Sequence, residues 1–123
     1  MSAELLFRSE CLKRNIIPSI PDADNSSYDA IIECSDKLLK IQIKATNSKE
    51  GHGYRISCSH GTGIKRRYSK SDVDYFAFYI IERNVWFFVP LDKIKTNNIN
   101  LYPDKLDHRF SPYQNAWHIF FSE

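Results

Sequence analysis

Residues 28–44 decide the fold of this chain, because their sequence, YDAIIECSDKLLKIQIK, predicts a β-hairpin. Two runs rich in β-forming residues flank a polar turn at Ser35, Asp36 and Lys37. If Asp36 and Lys37 form a two-residue loop, the cross-strand pairs are Asp29 with Lys44, Ile31 with Gln42, and Glu33 with Lys40.

The two faces of this predicted hairpin differ in polarity. Side chains alternate between the faces of a strand, and opposed residues share a face. The apolar face, which we expect to contact the core, comprises Ala30, Ile32, Cys34, Leu39, Ile41 and Ile43. The other face comprises Asp29, Ile31, Glu33, Lys40, Gln42 and Lys44. A register shift of one residue would move Asp29 to the apolar face, and the apolar set argues against that shift.

Length and composition narrow the class of protein. The 123 residues predict one folded domain, 1–123, and a hydrophobic content of 42% is typical of globular proteins. The apolar runs are shorter than the roughly 20 residues that a membrane helix needs. We expect no secretory signal, and the odd number of cysteines, three, indicates buried thiols in a reducing compartment. The expected location is therefore the cytoplasm, with no membrane partner.

The distribution of charge is more informative than the net charge of +2. Basic side chains cluster in one segment around Tyr68: Lys65, Arg66, Arg67 and Lys70. An isolated cluster of this kind is usually a solvated loop. Beside a phosphodiester-cleaving site, the same residues would contact phosphates, and Tyr68 would be the candidate for base stacking.

The rest of the chain predicts a helix followed mainly by strands. Ser2 is expected to cap a helix from Ala3 to about Arg14. Residues 16–18 are expected to form a short extended segment, and residues 60–71 a basic loop. The tail from Lys95 shows little periodicity, but its aromatic residues are expected to pack on the core. Further strands are expected at 54–58, 75–82 and 85–89. This order predicts an α+β or mixed α/β fold with a central sheet.

The far end of the polar face has the groups that phosphodiester cleavage needs. The reaction requires a neutralised phosphate charge and an activated water, and a divalent cation supplies both. We expect Asp29 to be the primary metal ligand, assisted by the Gln42 amide oxygen and the Ile43 backbone carbonyl. Lys44 is expected to stabilise developing charge beside the attacking water, and Glu4 to contribute from the first helix.

Simpler interpretations of the same residues stay open. Asp29 and Lys44 also fit a cross-strand ion pair, and Glu4 also fits a charge that complements a helix dipole. A zinc site is a weaker prediction, because the spacing of its candidate ligands matches no regular zinc pattern: His52, Cys58 and His60.

The order of Glu4, Asp29 and Gln42-Ile43-Lys44 resembles the PD-(D/E)XK nuclease superfamily, in which an early-helix glutamate, a strand aspartate and an acid-x-lysine motif follow one another. The chain is most similar to small bacterial, archaeal and phage endonuclease-like members, and to the intron-encoded homing endonuclease branch with a Gln-x-Lys motif. Two departures are Tyr28, where proline is common, and Gln42, which replaces the second acid.

This resemblance implies a mixed sheet flanked by helices and a DNA endonuclease that uses Mg²⁺, with Mn²⁺ as a possible substitute. A chain this short would cut both strands of a duplex as a homodimer or higher homo-oligomer. The glutamine at position 42 also fits a second function, a catalytically inactive nucleic-acid-binding or assembly module that keeps the nuclease fold.

Overall fold

The computed structural model describes residues 2–20, 28–34, 36–60, 66–67 and 72–121. It contains helix α1, Ala3–Lys13. The strands in the described ranges are β1 Ile17–Ser19, β2 Ala30–Cys34, β3 Lys37–Thr46, β4 Lys49–Glu50, β5 Gly53–Ser57, β6 Ser59–His60, β7 Arg66–Arg67, β8 Tyr75–Ile80, β9 Val85–Pro90 and β10 Asn98–Leu101. Short 3₁₀ turns lie at Ile81–Arg83, Leu91–Lys93, Ser111–Tyr113 and Trp117–Phe121.

A five-stranded mixed sheet in the order β1-β2-β3-β8-β9 forms the centre of the fold. Strands β3 and β8 pair in parallel, while the other neighbours pair antiparallel. A second sheet has the order β10-β5-β4, and β6 pairs with β7. The predicted fold class, a central mixed sheet in an α+β chain, is confirmed.

The central sheet is covered on both faces. On one face, Phe7 and Cys11 of α1 pack with Ile41 and Ile43 of β3. On the other face, the second sheet packs its apolar side chains against Phe76 and others of β8 and β9. In the described residues this second face is thus covered by a sheet, whereas the sequence predicted helices. Burial from both sides explains the nearly continuous apolar runs of β8 and β9.

The hairpin register differs from the prediction by two residues. Cys34 pairs with Lys37, so the loop consists of residues 35–36 rather than Asp36 and Lys37. Asp36 has a φ of 62°, a left-handed conformation that aspartate tolerates. The predicted cross-strand pairs are therefore wrong, because Ile31 lies opposite Lys40, and Glu33 opposite Leu38.

The predicted faces of the hairpin are nevertheless correct, because a shift of two residues preserves the alternation of side chains. Ala30, Ile32, Ile41 and Ile43 are buried in the core beneath α1. Gln42 and Lys44 belong to the opposite face, beside Phe76 and Phe78 of β8. The polar end of β3 therefore lies on the side of the central sheet that the second sheet covers.

Helix α1 begins where the sequence predicts and ends one residue earlier. The Ser2 hydroxyl accepts a hydrogen bond of 3.2 Å from the Leu5 N–H, as expected of an N-cap. Arg14 caps the C-terminus, and Asn15 follows with a φ of 60°. None of the helices in the described ranges is long and apolar enough to cross a membrane.

Three local predictions for the second half of the chain need correction. The predicted strand 75–82 ends at Ile80, where a 3₁₀ turn begins. The segment predicted as a basic loop contains β6 and β7. The tail contains β10, which is only four residues long and owes its extended form to pairing with β5. The expected packing of the aromatic tail is confirmed, since Trp117 and Phe120 are buried.

Candidate active site

Asp29 lies just before β2 and is fixed to the edge of β3 by two hydrogen bonds. Its N–H donates to the Ile41 carbonyl at 2.9 Å. Its carboxylate oxygen Oδ2 accepts the N–H of Ile43 at 2.8 Å. The side chain thus satisfies a β3 amide just before β2 begins. An ionised carboxylate offers about four lone-pair positions, so it can accept this bond and still coordinate a cation.

The backbone carbonyl of Ile43 lies on the same edge of β3 as this carboxylate. In a strand, the N–H and C=O of one residue point toward the same neighbouring strand. Because the Ile43 N–H points to Asp29, its carbonyl points to the same side. Gln42, the preceding residue, is partly buried on the face that carries Lys44.

Electrostatics connect Asp29 to Glu4 and Lys44. Burial raises the pKa of Asp29 above its usual value, and the negative charge of Glu4 raises it further. The bond from Ile43 and the positive charge of Lys44 lower the pKa, but they do not offset the effect of burial. The fold therefore brings the early-helix glutamate and the strand lysine within electrostatic range of the aspartate.

Lys44 contacts the start of β6. Its Nζ donates to the backbone carbonyl of Ser59 at 3.1 Å. Cys58 is buried nearby, and this burial raises the pKa of its thiol to about 12, although the charge of Lys44 opposes the rise. The thiol is therefore protonated near neutral pH, as is typical of a buried structural cysteine.

Only part of the predicted basic segment lies in the described residues. Lys65, Tyr68 and Lys70 lie outside them. Arg66 and Arg67 form β7, in which Arg67 pairs with Ser59 through the backbone. The Ser59 carbonyl that accepts the hydrogen bond from Lys44 belongs to β6. Strand β6 is the pairing partner of β7, which contains these two arginines.

Two features of the site were missed at the level of sequence. One is the Ser59 carbonyl, a backbone group that no residue pattern identifies. The other is Asp74, whose carboxylate accepts the Lys40 N–H at 2.8 Å and whose N–H donates to the Lys40 carbonyl at 2.8 Å. Asp74 directly precedes a predicted strand, as Asp29 does, and this shared position in the sequence could have identified it.

The oxygen donors near Asp29 are chemically suited to a hard cation. No group of three or more His, Cys, Asp or Glu side chains that could hold a metal occurs in the part of the chain that the structure describes. The ligands predicted from the sequence are instead two carboxylates, an amide oxygen and a backbone carbonyl. Magnesium accepts such oxygens and commonly needs only one or two protein carboxylates.

This fold and site define a nuclease-like class of protein. The chain belongs to the PD-(D/E)XK endonuclease family, whose model matches residues 2–120. Among solved structures, it is similar to a bacterial homing endonuclease, I-Ssp6803I, with a TM-score of 0.83 and 23% sequence identity over 95% of this chain and 86% of that one. The comparison with curated proteins gives no match. The predicted family is therefore confirmed, and the structural similarity confirms the fold.

Replacing Asp29 with asparagine is expected to raise the melting temperature of the metal-free protein at neutral pH by about 1–3 °C. Asparagine retains an acceptor for the Ile43 N–H and removes a partly buried charge. The pKa of Asp29 is higher in the folded state than in the unfolded state, so its negative charge lowers the free energy of unfolding. This destabilisation is complete at pH values above the folded-state pKa and disappears as the pH falls toward the ordinary value of 3.8. Thermal unfolding in EDTA at a series of pH values measures the difference.

The matched control for this experiment is Glu4→Gln, which removes the neighbouring charge and leaves the Asp29 hydrogen bond in place. It should change stability in the same direction by a smaller amount. A wild-type protein more stable than Asp29→Asn at neutral pH would contradict the expected sign.

Proposed function

We propose that this protein is a metal-dependent DNA endonuclease that hydrolyses phosphodiester bonds. The observation that carries the proposal is the Asp29 carboxylate, held on the Ile43 N–H while the charges of Glu4 and Lys44 both act on it. Membership of the PD-(D/E)XK endonuclease family supports the reaction class. A similar solved structure is a homing endonuclease, which supports DNA as the substrate.

The proposed cofactor is Mg²⁺, for which Mn²⁺ can substitute. Asp29 would be its primary ligand, with the Gln42 amide oxygen and the Ile43 carbonyl as neutral ligands and Glu4 assisting. When bound, the cation would neutralise phosphate charge and activate the attacking water. Hard oxygen donors of this kind fit magnesium better than they fit the softer transition metals.

Lys44 is proposed to stabilise the charge that develops in the reaction or to position the attacking water. The Ser59 carbonyl restrains its ammonium group, which has three N–H donors. A restrained cation needs little reorganisation when charge develops, and this is the condition under which electrostatic stabilisation is most effective.

The basic segment is proposed to contact DNA phosphates. It comprises Lys65, Arg66, Arg67 and Lys70, with Tyr68 as a stacking residue. Pairing of β7 with β6 supports this role, because it connects the segment to the residue that holds Lys44. Phosphate contacts here would place the scissile bond near the lysine.

The composition and burial of the cysteines support a cytoplasmic location. The side chains of Cys11 and Cys58 are buried, as expected of cysteines in a reducing compartment.

A second function, nucleic-acid binding without cleavage, is favoured by one observation. Gln42 contributes no charge where many family members have an acid. The site would then have to hold its cation with two carboxylates, and a member of the family that had lost catalysis would have the same arrangement.

Purified protein should nick supercoiled DNA in the presence of Mg²⁺ or Mn²⁺. Asp29→Asn and Lys44→Met should each reduce the rate at least about 100-fold, because each removes a charge from the proposed site with little change in side-chain size. Lys44→Met also removes the hydrogen bond to the Ser59 carbonyl. Gel analysis of supercoiled, linear and branched DNA measures the rates.

The matched control is Asp92→Asn, which makes the same chemical change on the 3₁₀ turn Leu91–Lys93 and should cleave like the wild type. If no substrate is cut while Asp29→Asn and Lys44→Met bind DNA as the wild type does, the non-catalytic function is correct.

Gln42→Glu tests whether this position contacts the cation. Restoring a carboxylate should lower the Mg²⁺ concentration for half-maximal cleavage several-fold, because it adds a negative charge to the ligand set. Gln42→Ala should raise that concentration. Equal Mg²⁺ dependence in wild type and both variants would remove Gln42 from the proposed ligands.

The active form is proposed to be a homodimer, because cleavage of both strands by a one-site chain is most simply achieved by two copies. Light scattering of the protein should give a mass of about 29 kDa, twice the 14.4 kDa of one chain. A mass of one chain, both free and on DNA that is cut in both strands, would contradict the dimer.

A further inference from the structure

A polar cavity of about 330 Å³ lies on the outer face of the second sheet. Its lining includes two guanidinium groups, an imidazole and side-chain amides, contributed by Arg55, Asn98, Asn100, Tyr102, His108 and Arg109. None of the functional groups discussed above belongs to it.

The alternation of β5 and β10 creates this cavity. Ile56 and Ile99 point inward and are buried in the core between the sheets. The intervening residues therefore point outward, and Asn100 lies directly opposite Arg55 in the pairing of the strands. The result is a row of hydrogen-bond donors on a surface held rigid by the core beneath it.

Aromatic rings contact Arg109 of this lining and one further cationic group, Lys105. The Arg109 guanidinium lies 4.8 Å from the centre of the Phe110 ring, and the Lys105 ammonium 4.4 Å from that of Tyr102. Of the acids in this region, Asp104 is engaged by Arg83, with N–O distances of 2.6 and 3.0 Å.

Two other acids lie close to the cavity. Glu50 is 3.8 Å from Arg55, and both side chains are half exposed, so this pair is weak. Asp107 acts on His108. Positive charge still exceeds negative charge around the cavity.

His108 presents a donor in this setting. Its Nδ1 accepts the Phe110 N–H at 3.3 Å, so the neutral ring has its proton on Nε2. Burial lowers the pKa of His108, and the charges of Arg109 and Lys105 lower it further, while Asp107 opposes them. The contributions of Arg109 and Lys105 place positive charge beside the ring, which a bound anion would offset.

A second cavity, of about 270 Å³, lies beside the first. It shares Arg55 and Asn98 with the first cavity and is lined at its other end by Ala45 and Thr46. These two residues directly follow Lys44 in β3. The two cavities are therefore neighbours on the second sheet, and the second one also borders β3.

We propose that the basic cavity binds a phosphate group of the DNA strand, at a distance from the phosphate that is cleaved. This subsite rests on the proposed nuclease function. The donors are suited to phosphate oxygens, and arginine is the side chain that binds them best. A stacked base is the poorer ligand, since Lys105 and His108 already contact the Tyr102 ring.

DNA binding by Arg55→Gln and Arg109→Gln tests the subsite, in EDTA and at several salt concentrations. Each variant should raise Kd about 5- to 10-fold and make the salt dependence shallower by about one released counterion. The control Arg8→Gln removes the same charge from α1, on the opposite side of the central sheet, and should bind like the wild type.

The outcomes separate the subsite from the nuclease function. If the wild type binds and cuts DNA while Arg55→Gln and Arg109→Gln keep its Kd and salt dependence, the subsite is wrong and the nuclease function stands. If the wild type binds no DNA, both proposals fail as stated, because the subsite is defined as one for a DNA phosphate.

Inorganic phosphate provides an independent measurement by NMR titration of His108. Phosphate in the cavity should raise the pKa of His108, whose charged neighbours are Arg55, Lys105, Asp107 and Arg109. The double variant of Arg55→Gln and Arg109→Gln should lose this effect. A pKa that phosphate does not change, or that changes equally in the double variant, would overturn the subsite.

Discussion

The structure depends on how β3 is held in the middle of the central sheet. Two aspartates accept backbone N–H groups of this strand from opposite sides, Asp29 from Ile43 and Asp74 from Lys40, each at 2.8 Å. Both lie at the start of a segment that pairs with β3, where a regular ladder has not yet begun. Carboxylates in these positions satisfy amides that would otherwise be unpaired in a partly buried location, which costs about 1–3 kcal/mol for each group.

The same arrangement explains why stability and the proposed function oppose each other at Asp29. Its hydrogen bond to Ile43 favours the charged form, but burial and the nearby Glu4 disfavour it, and the balance raises the pKa. A carboxylate that is costly for the apoprotein is a strong ligand for a cation, because the cation removes that cost when it binds. Residues of this kind are typical of functional sites, where groups that lower the stability of the folded protein also bind ligands or take part in catalysis.

The sequence predicted the faces of the hairpin better than its register. The apolar residues Ile32 and Ile41 fix which side is buried, and that constraint is strong because a one-residue shift would expose them all. Nothing comparable distinguishes a loop at 35–36 from one at 36–37, since both preserve the faces. The turn conformation, with Asp36 at positive φ, makes that choice.

Tertiary pairing explains the elements that the sequence did not predict. Strand β10 is a four-residue segment rich in asparagine, and its extended form depends on β5, more than 40 residues earlier in the chain. The family resemblance gave the order of Glu4, Asp29 and Gln42-x-Lys44 in the sequence, and in the structure the charges of Glu4 and Lys44 act on Asp29. The contact of Lys44 with Ser59 could not be predicted, because it involves a backbone carbonyl that only the folded chain places there.

The glutamine at position 42 can be understood as a compromise between attraction of a cation and competition from protons. Glu4 already raises the pKa of Asp29, so an acid at position 42, the third in the proposed site, would raise it further. A third acid would strengthen the attraction of Mg²⁺, but it would also make the metal-free site bind protons more tightly and would destabilise the start of β2. An amide supplies an oxygen ligand without either effect. In the proposed site, Gln42 therefore gives a lower metal affinity than an acid would, but it does not raise the pKa of Asp29 further.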